Sequence, residues 1–125
     1  MRKLLFLVVA LLLSFNLALA SSIESEIREF SKREYPNDYA MQKYTYDKQL
    51  AAKRYMQTVG DIEIKKFSIR EYPYDYAMQK YTYDKQLSAK RYMGSVSNRG
   101  AKNKAIREYP YDYSMQKYTY DKLAY

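Results

Sequence analysis

Residues 70–85 of the chain read REYPYDYAMQKYTYDK, and closely similar blocks occur before and after them. The copies span Arg33–Met56, Arg70–Met93 and Arg107–Lys122, and each begins 37 residues after the one before. The third copy differs from the second over its first sixteen residues only at Ser114. A period of this length is typical of helical solenoid repeats. The sequence therefore predicts an array of repeated units.

Each block is predicted to form a long helix that begins at its proline. Proline suits the first helical turn, where its missing N–H costs nothing, and the aspartate two residues later lies beside the positive end of the helix dipole. In the second copy these residues are Pro73 and Asp75, and Gly94 is placed to end the helix. The tyrosine alternation at positions 72, 74 and 76 has the period of a strand, but the proline interrupts it, so helix is favoured.

A shorter helix is predicted before each proline. Asp61 is a candidate cap for a helix over Ile62–Arg70, since a short carboxylate at this position accepts from the first free N–H groups. The corresponding segments of the other copies carry Ser22, Ile23, Ile27 and Phe30 in the first and Ala101, Ala105 and Ile106 in the third. The predicted fold is all-α, with three αα units of about residues 21–56, 57–93 and 94–125, forming a small helical bundle or a short solenoid.

The first twenty residues have the pattern of a secretory signal peptide. Arg2 and Lys3 are followed by an apolar run over Leu4–Leu13, and Ala18-Leu19-Ala20 supplies the small residues read by a signal peptidase. We expect cleavage before Ser21, a periplasmic or secreted location, and no transmembrane segment in the mature chain. The competing interpretation is a retained N-terminal membrane anchor.

Composition removes several familiar kinds of chemistry. The chain has 125 residues with no Cys, no His and no Trp, so it lacks a thiolate nucleophile, an imidazole base and the ligands of a conventional zinc site. Asp75 and Asp84 are nine residues apart and half a turn out of phase on one helix, so they cannot act as a paired acid and base. The sequence predicts no catalytic residue, no cofactor site and no metal site, and hence a protein that is not an enzyme.

Tyrosine supplies most of the apolar surface after the leader. Residues 21–125 contain only three Leu, six Ile, two Val and two Phe, a composition that points toward disorder, but they also contain all 17 Tyr. Removing Arg2 and Lys3 leaves 20 basic against 14 acidic side chains, a net charge of +6. We expect a folded, basic domain of modest stability.

The segment Tyr72–Tyr81, YPYDYAMQKY, resembles a Trp/Tyr-Pro-x-Asp-Tyr-x-Met-Gln element of small, uncharacterised secreted bacterial proteins. The resemblance covers about ten residues per copy. It implies an exported bacterial helical protein and carries no activity. Where that element often has Trp, this chain has Tyr35, Tyr72 and Tyr109.

Helical periodicity divides each long helix into two apolar lines. In the second copy the wider line is predicted to face the core; it contains Tyr74, Met78, Tyr81, Lys85, Ala89 and Tyr92. A narrower line contains Tyr76, Tyr83 and Leu87 and is predicted to contact the next repeat. The alternative is an exposed tyrosine-rich surface, because a lysine lies within the wider line. The residues of this candidate binding surface are Lys48, Lys85, Lys122, Tyr44, Tyr81 and Tyr118.

These observations favour an exported, non-enzymatic helical repeat protein that acts as an interaction or structural module. The alternatives are a Tyr/Lys-rich extracellular matrix or adhesive protein, or a binder of anionic envelope polymers. The expected partner is a protein or an anionic envelope polymer, and the export signal argues against nucleic acid. No cofactor is expected.

Overall fold

The computed structural model describes residues 2–125, and within this range the chain is all-α. Its helices are α1 (Arg2–Glu34), α2 (Tyr39–Thr58), α3 (Ile62–Glu71), α4 (Tyr76–Ser95), α5 (Arg99–Glu108) and α6 (Tyr113–Ala124). The long helices α2, α4 and α6 carry the repeated blocks, and short helices precede two of them. The prediction of an all-α fold is confirmed.

The described chain divides into two compact units, residues 2–50 and 51–125. In the first unit, α1 runs without a break from the apolar leader into the segment before the first proline. Its buried residues are Ile27 and Ser31, near its C-terminal end, while residues 4–20 are exposed. Among the described helices, α1 alone has the length and apolar content needed to cross a membrane, properties that signal sequences share.

A tight turn over Tyr72–Asp75 separates α3 from α4, and Pro73 is its second residue. The Asp75 N–H donates to the Tyr72 carbonyl at 3.4 Å, and equivalent bonds close the turns that precede α2 and α6. Proline is favoured at this position of a turn because its φ is already correct. The prediction that each long helix begins at its proline is therefore wrong: α4 begins three residues later, and Asp75 is its N-cap.

Two side chains cap the short helices of the second unit. The Asp61 carboxylate accepts from the Ile64 N–H at 3.1 Å, which confirms the predicted cap of α3. Asn98 occupies the equivalent position and accepts from the Ala101 N–H at 3.1 Å. Both are polar side chains that can satisfy a free N–H in the first turn. Gly94 does not end α4, which continues through Ser95.

In the second unit α3 packs against α4, α5 packs against α6, and α4 packs against α6. Two hydrophobic clusters lie between these helices and the end of α2. One contains Met56, Ile64 and Tyr83, and the other contains Met93, Ala101, Ala105 and Tyr120. Each cluster combines a methionine from one long helix with a tyrosine from the next, so burial is shared between adjacent copies of the block.

Candidate functional site

The buried face of α4 differs from the face that periodicity predicts. Tyr83 is 3% exposed, whereas Tyr81 is 59% exposed and Tyr74 is 80% exposed. The buried residues of α4 are Gln79, Tyr83, Gln86, Ala89 and Met93. The prediction that the line from Tyr74 to Tyr92 faces the core is therefore wrong for its tyrosines up to Tyr81. The narrower line, which contains Tyr83, lies closer to the core.

The six residues of the candidate binding surface are all exposed. They form three pairs with a spacing of four residues, which places both members of a pair on one side of a helix. The tyrosine–lysine pairs are Tyr44 with Lys48, Tyr81 with Lys85, and Tyr118 with Lys122. In the last pair the lysine Nζ lies 4.3 Å from the centroid of the tyrosine ring. An exposed aromatic ring beside a cation can contact an aromatic or anionic group of a partner.

Other polar side chains form contacts between neighbouring copies of the block. The Tyr55 hydroxyl, near the end of α2, donates to the Asp84 carboxylate at 2.5 Å. Lys80 donates to the same carboxylate at 2.6 Å, and its Nζ lies 4.4 Å from the centroid of the Tyr55 ring. The Tyr55 ring also meets Tyr83 edge-on, with 6.4 Å between the centroids. One tyrosine thus makes a hydrogen bond, a cation–π contact and an aromatic contact with the following copy.

The same contacts recur 37 residues further along the chain. Tyr92 donates to Asp121 at 2.5 Å, Lys117 donates to Asp121 at 2.6 Å, and the Lys117 Nζ lies 4.4 Å from the Tyr92 ring. The hydrogen bonds from Lys117 and Tyr92 hold the pKa of Asp121 below its ordinary value. The hydrogen bond to Asp121, together with burial, raises the pKa of Tyr92 to about 12. The protonated tyrosine and the ionised aspartate therefore stabilise each other.

A second set of polar contacts fixes the beginnings of the helices. Lys90 donates to the Asp61 carboxylate at 2.7 Å, and its Nζ lies 5.4 Å from the Tyr113 ring. Gln86 donates to the Asp112 carboxylate at 2.7 Å and accepts from the Tyr113 N–H at 2.8 Å. Because the lysine and the glutamine each contact another helix, α4 is held both to α3 and to the start of α6.

Tyrosine hydroxyls also satisfy the backbone where the short helices begin. The Tyr83 hydroxyl accepts from the Asp61 N–H at 3.1 Å, and the Tyr120 hydroxyl accepts from the Asn98 N–H at 3.2 Å. Both tyrosines are buried, so a polar partner for each hydroxyl removes the cost of burying it. These two tyrosines therefore have a structural role.

Sequence reasoning missed the contacts of Tyr55, Asp84 and Lys80. The spacing of Lys80 and Asp84 is a signal for an ion pair on one helix. Nothing local indicates that a tyrosine 29 residues earlier completes the group. The three-fold repeat shows which residue types recur, but only the packing of the copies shows which of these residues contact each other.

Comparison of the chain with protein family models, curated proteins and solved structures gives no match.

Proposed function

We propose that the chain is an exported, non-enzymatic repeat protein whose three αα units act as an interaction or structural module. In this proposal residues 1–20 are a signal peptide, the mature protein is periplasmic or secreted, and the tyrosine–lysine pairs form its binding surface. It belongs with the small secreted bacterial proteins that its repeated element resembles.

The observation that carries the proposal is that one set of repeated residues contacts the neighbouring copy while another set remains exposed. The polar groups best suited to chemistry already have partners: the Asp84 carboxylate accepts from Lys80 and from Tyr55 of the preceding copy. The tyrosine–lysine pairs remain exposed in every copy. Stacked units that expose one equivalent surface each are suited to polyvalent binding, because weak contacts add when they are linked.

The exposed leader supports the proposed export. The apolar side chains between Leu4 and Leu19 are exposed, which fits a segment that acts in a membrane or is removed there. Intact-mass analysis of the exported protein tests this point. We expect an N-terminus at Ser21, whereas retention of the leader would indicate a membrane-anchored protein.

The binding surface is tested by affinity capture from an envelope extract with the tagged chain. A variant with Tyr44→Ala, Tyr81→Ala and Tyr118→Ala should capture at least tenfold less of the partner while its helical circular dichroism is unchanged. The control carries Tyr74→Ala and Tyr111→Ala, which remove two tyrosines outside the pairs that are 80% and 78% exposed. Equal loss from both variants would contradict the assignment of the surface.

The nature of the captured material separates the alternatives. A protein that stays bound at high salt supports the interaction module. A polysaccharide that is released by salt indicates an anionic envelope polymer as the partner. Insoluble material with dityrosine fluorescence indicates a matrix or adhesive protein instead.

A further inference from the structure

The first copy of the block contains a surface that the other copies use to hold a neighbouring helix. We call the residues Tyr39, Lys43, Tyr46 and Asp47 the receiving face. Their equivalents in the second copy are Tyr76, Lys80, Tyr83 and Asp84, and those in the third are Tyr113, Lys117, Tyr120 and Asp121. All four residue types are identical in the three copies, so the first copy has every group needed for the same contacts.

In the second and third copies this surface holds the end of the preceding long helix. The helix supplies Lys-Arg-Tyr-Met, which is residues 53–56 before the second copy and 90–93 before the third. The lysines Lys53 and Lys90 lie 5.0 Å and 5.4 Å from the rings of Tyr76 and Tyr113. The tyrosine hydroxyls donate to the aspartates, and the methionines enter the hydrophobic clusters. The same four-residue pattern is therefore held in the same way twice.

In the first copy the receiving face is open. Tyr39 is 83% exposed, whereas its equivalents are half-buried. Lys43 and Asp47 form the same ion pair at 2.6 Å, but their side chains are 78% and 57% exposed, against 42% and 40% for Lys80 and Asp84. The ion pair is thus already in place for a hydroxyl that no described residue of the first unit supplies.

A cavity of about 390 Å³ lies beside the receiving face. Its lining includes Tyr39, Lys43 and Tyr46 from α2 and Arg28 and Ser31 from α1. The Arg28 guanidinium lies 5.6 Å from the centroid of the Tyr46 ring. In the second copy the ring of the equivalent Tyr83 is instead met edge-on by Tyr55. An incoming tyrosine would share the Tyr46 ring with Arg28 or displace this arginine.

We propose that the receiving face binds an α-helix of another polypeptide that carries Lys-x-Tyr-Met. The lysine lies over the Tyr39 ring, the tyrosine hydroxyl donates to Asp47, and the tyrosine ring packs between Lys43 and Tyr46. This site goes beyond the binding surface proposed above, since Tyr44 is two residues from Tyr46 and lies on the other side of α2.

The occupant is assigned to another polypeptide because this chain already uses its own segments of this kind. Met56 and Met93, which end the two Lys-Arg-Tyr-Met segments, are each 3% exposed. A second copy of the chain would have to release one of these helices from its own core before it could offer it. A foreign helix has no such cost.

The test uses the full chain in nonionic detergent and a fluorescent peptide with the sequence of residues 48–60. A lactam bridge between the positions of Arg54 and Thr58, both exposed in α2, holds the peptide in a helix. We expect saturable one-to-one binding by fluorescence anisotropy. Tyrosine-to-phenylalanine substitution in the peptide should weaken binding about tenfold, because it removes the hydrogen bond to Asp47. Asp47→Asn in the chain should weaken binding of the tyrosine peptide by a smaller factor, because the amide oxygen still accepts but carries no charge. The two changes together should weaken binding no further than the phenylalanine substitution alone.

The matched control is Asp121→Asn, which changes the equivalent aspartate where a helix is already held. It should leave peptide affinity unchanged. Lack of saturable binding, full affinity of the phenylalanine peptide, or an equal loss with Asp121→Asn would each overturn the proposal. Sedimentation that shows a dimer of the chain, dissociated by Asp47→Asn, would also overturn it by making a second copy the occupant.

Discussion

At the scale of single residues, one carboxylate in each of the last two copies organises the contact with the copy before. Asp121 accepts from Lys117 of its own helix and from Tyr92 of α4. Asp84 has the same two kinds of donor, Lys80 and Tyr55. A hydrogen bond to an ionised acceptor is stronger than one between neutral groups, so a chain with few aliphatic residues gains specific packing from tyrosine.

The Tyr92 contact predicts a dependence of stability on alkaline pH. The pKa of Tyr92 is about 12 in the folded protein, against an ordinary value of 10.0. Because the folded value is the higher one, the contact contributes its full stability below pH 10 and loses it as the pH rises through about 12. Titration followed by the near-ultraviolet absorbance of phenolate should show a late-ionising group that Tyr92→Phe removes. The control Tyr111→Phe changes an exposed ring and should leave the late-ionising group in place. Removal of the same population by both variants would contradict this assignment.

At the scale of elements, the boundary of each long helix is fixed by an aspartate and a turn. Asp112 caps α6 by accepting from the Met115 N–H at 3.0 Å, and the same carboxylate oxygen accepts from Gln86 of α4. The cap therefore also links two copies. Gln116 adds a bond of 2.7 Å back to the Tyr109 carbonyl, which holds the turn before the helix.

Two substitutions of Asp112 distinguish the contribution of its hydrogen-bonding oxygen to stability from the contribution of its negative charge. Asp112→Ala removes the cap and the Gln86 bond together, and it should lower the free energy of unfolding by about 1–2 kcal/mol. Asp112→Asn keeps an oxygen acceptor and should cost less than half as much. Chemical denaturation followed by circular dichroism measures both. Equal losses would show that the carboxylate charge, rather than the hydrogen-bonded oxygen, stabilises this end of α6.

At the scale of the whole molecule, the sequence period predicts that neighbouring copies are interchangeable. Deletion of residues 70–106 joins Ile69 to Arg107 and removes one 37-residue period. Tyr55 should then meet Asp121 and Lys117, which are the same residue types as its present partners Asp84 and Lys80. The contacts of a lost copy should therefore re-form with the next one.

We expect the deletion variant to keep its helical content per residue while its thermal midpoint falls by roughly 10 °C. The fall follows from the loss of one interface between copies, because each kcal/mol moves the midpoint of a domain this small by about 4–8 °C. Circular dichroism of the variant and the parent chain, side by side, measures both quantities. Loss of the helical spectrum would show that the copies depend on residues particular to the spacers.

The sequence alone determined the all-α fold, the period of the blocks and the cap at Asp61. These features are local: good helix formers and a carboxylate before the first turn act within a few residues. The face that each helix buries is not local. Tyr81 and Tyr83 have the same side chain and lie two residues apart in sequence, yet the first is exposed and the second is buried.

Tertiary structure decided which of these tyrosines is buried. A tyrosine ring suits either environment, and it is buried where its hydroxyl finds a hydrogen-bond partner. The hydroxyl of the buried Tyr83 accepts from the Asp61 N–H. The Tyr55 hydroxyl donates to Asp84, and the Lys80 Nζ lies over the Tyr55 ring. Residue periodicity predicts that an apolar face exists, but not which of two tyrosine lines has such partners. For the same reason, only the tertiary structure distinguishes the open receiving face at Tyr39 and Asp47 from the occupied faces of the second and third copies.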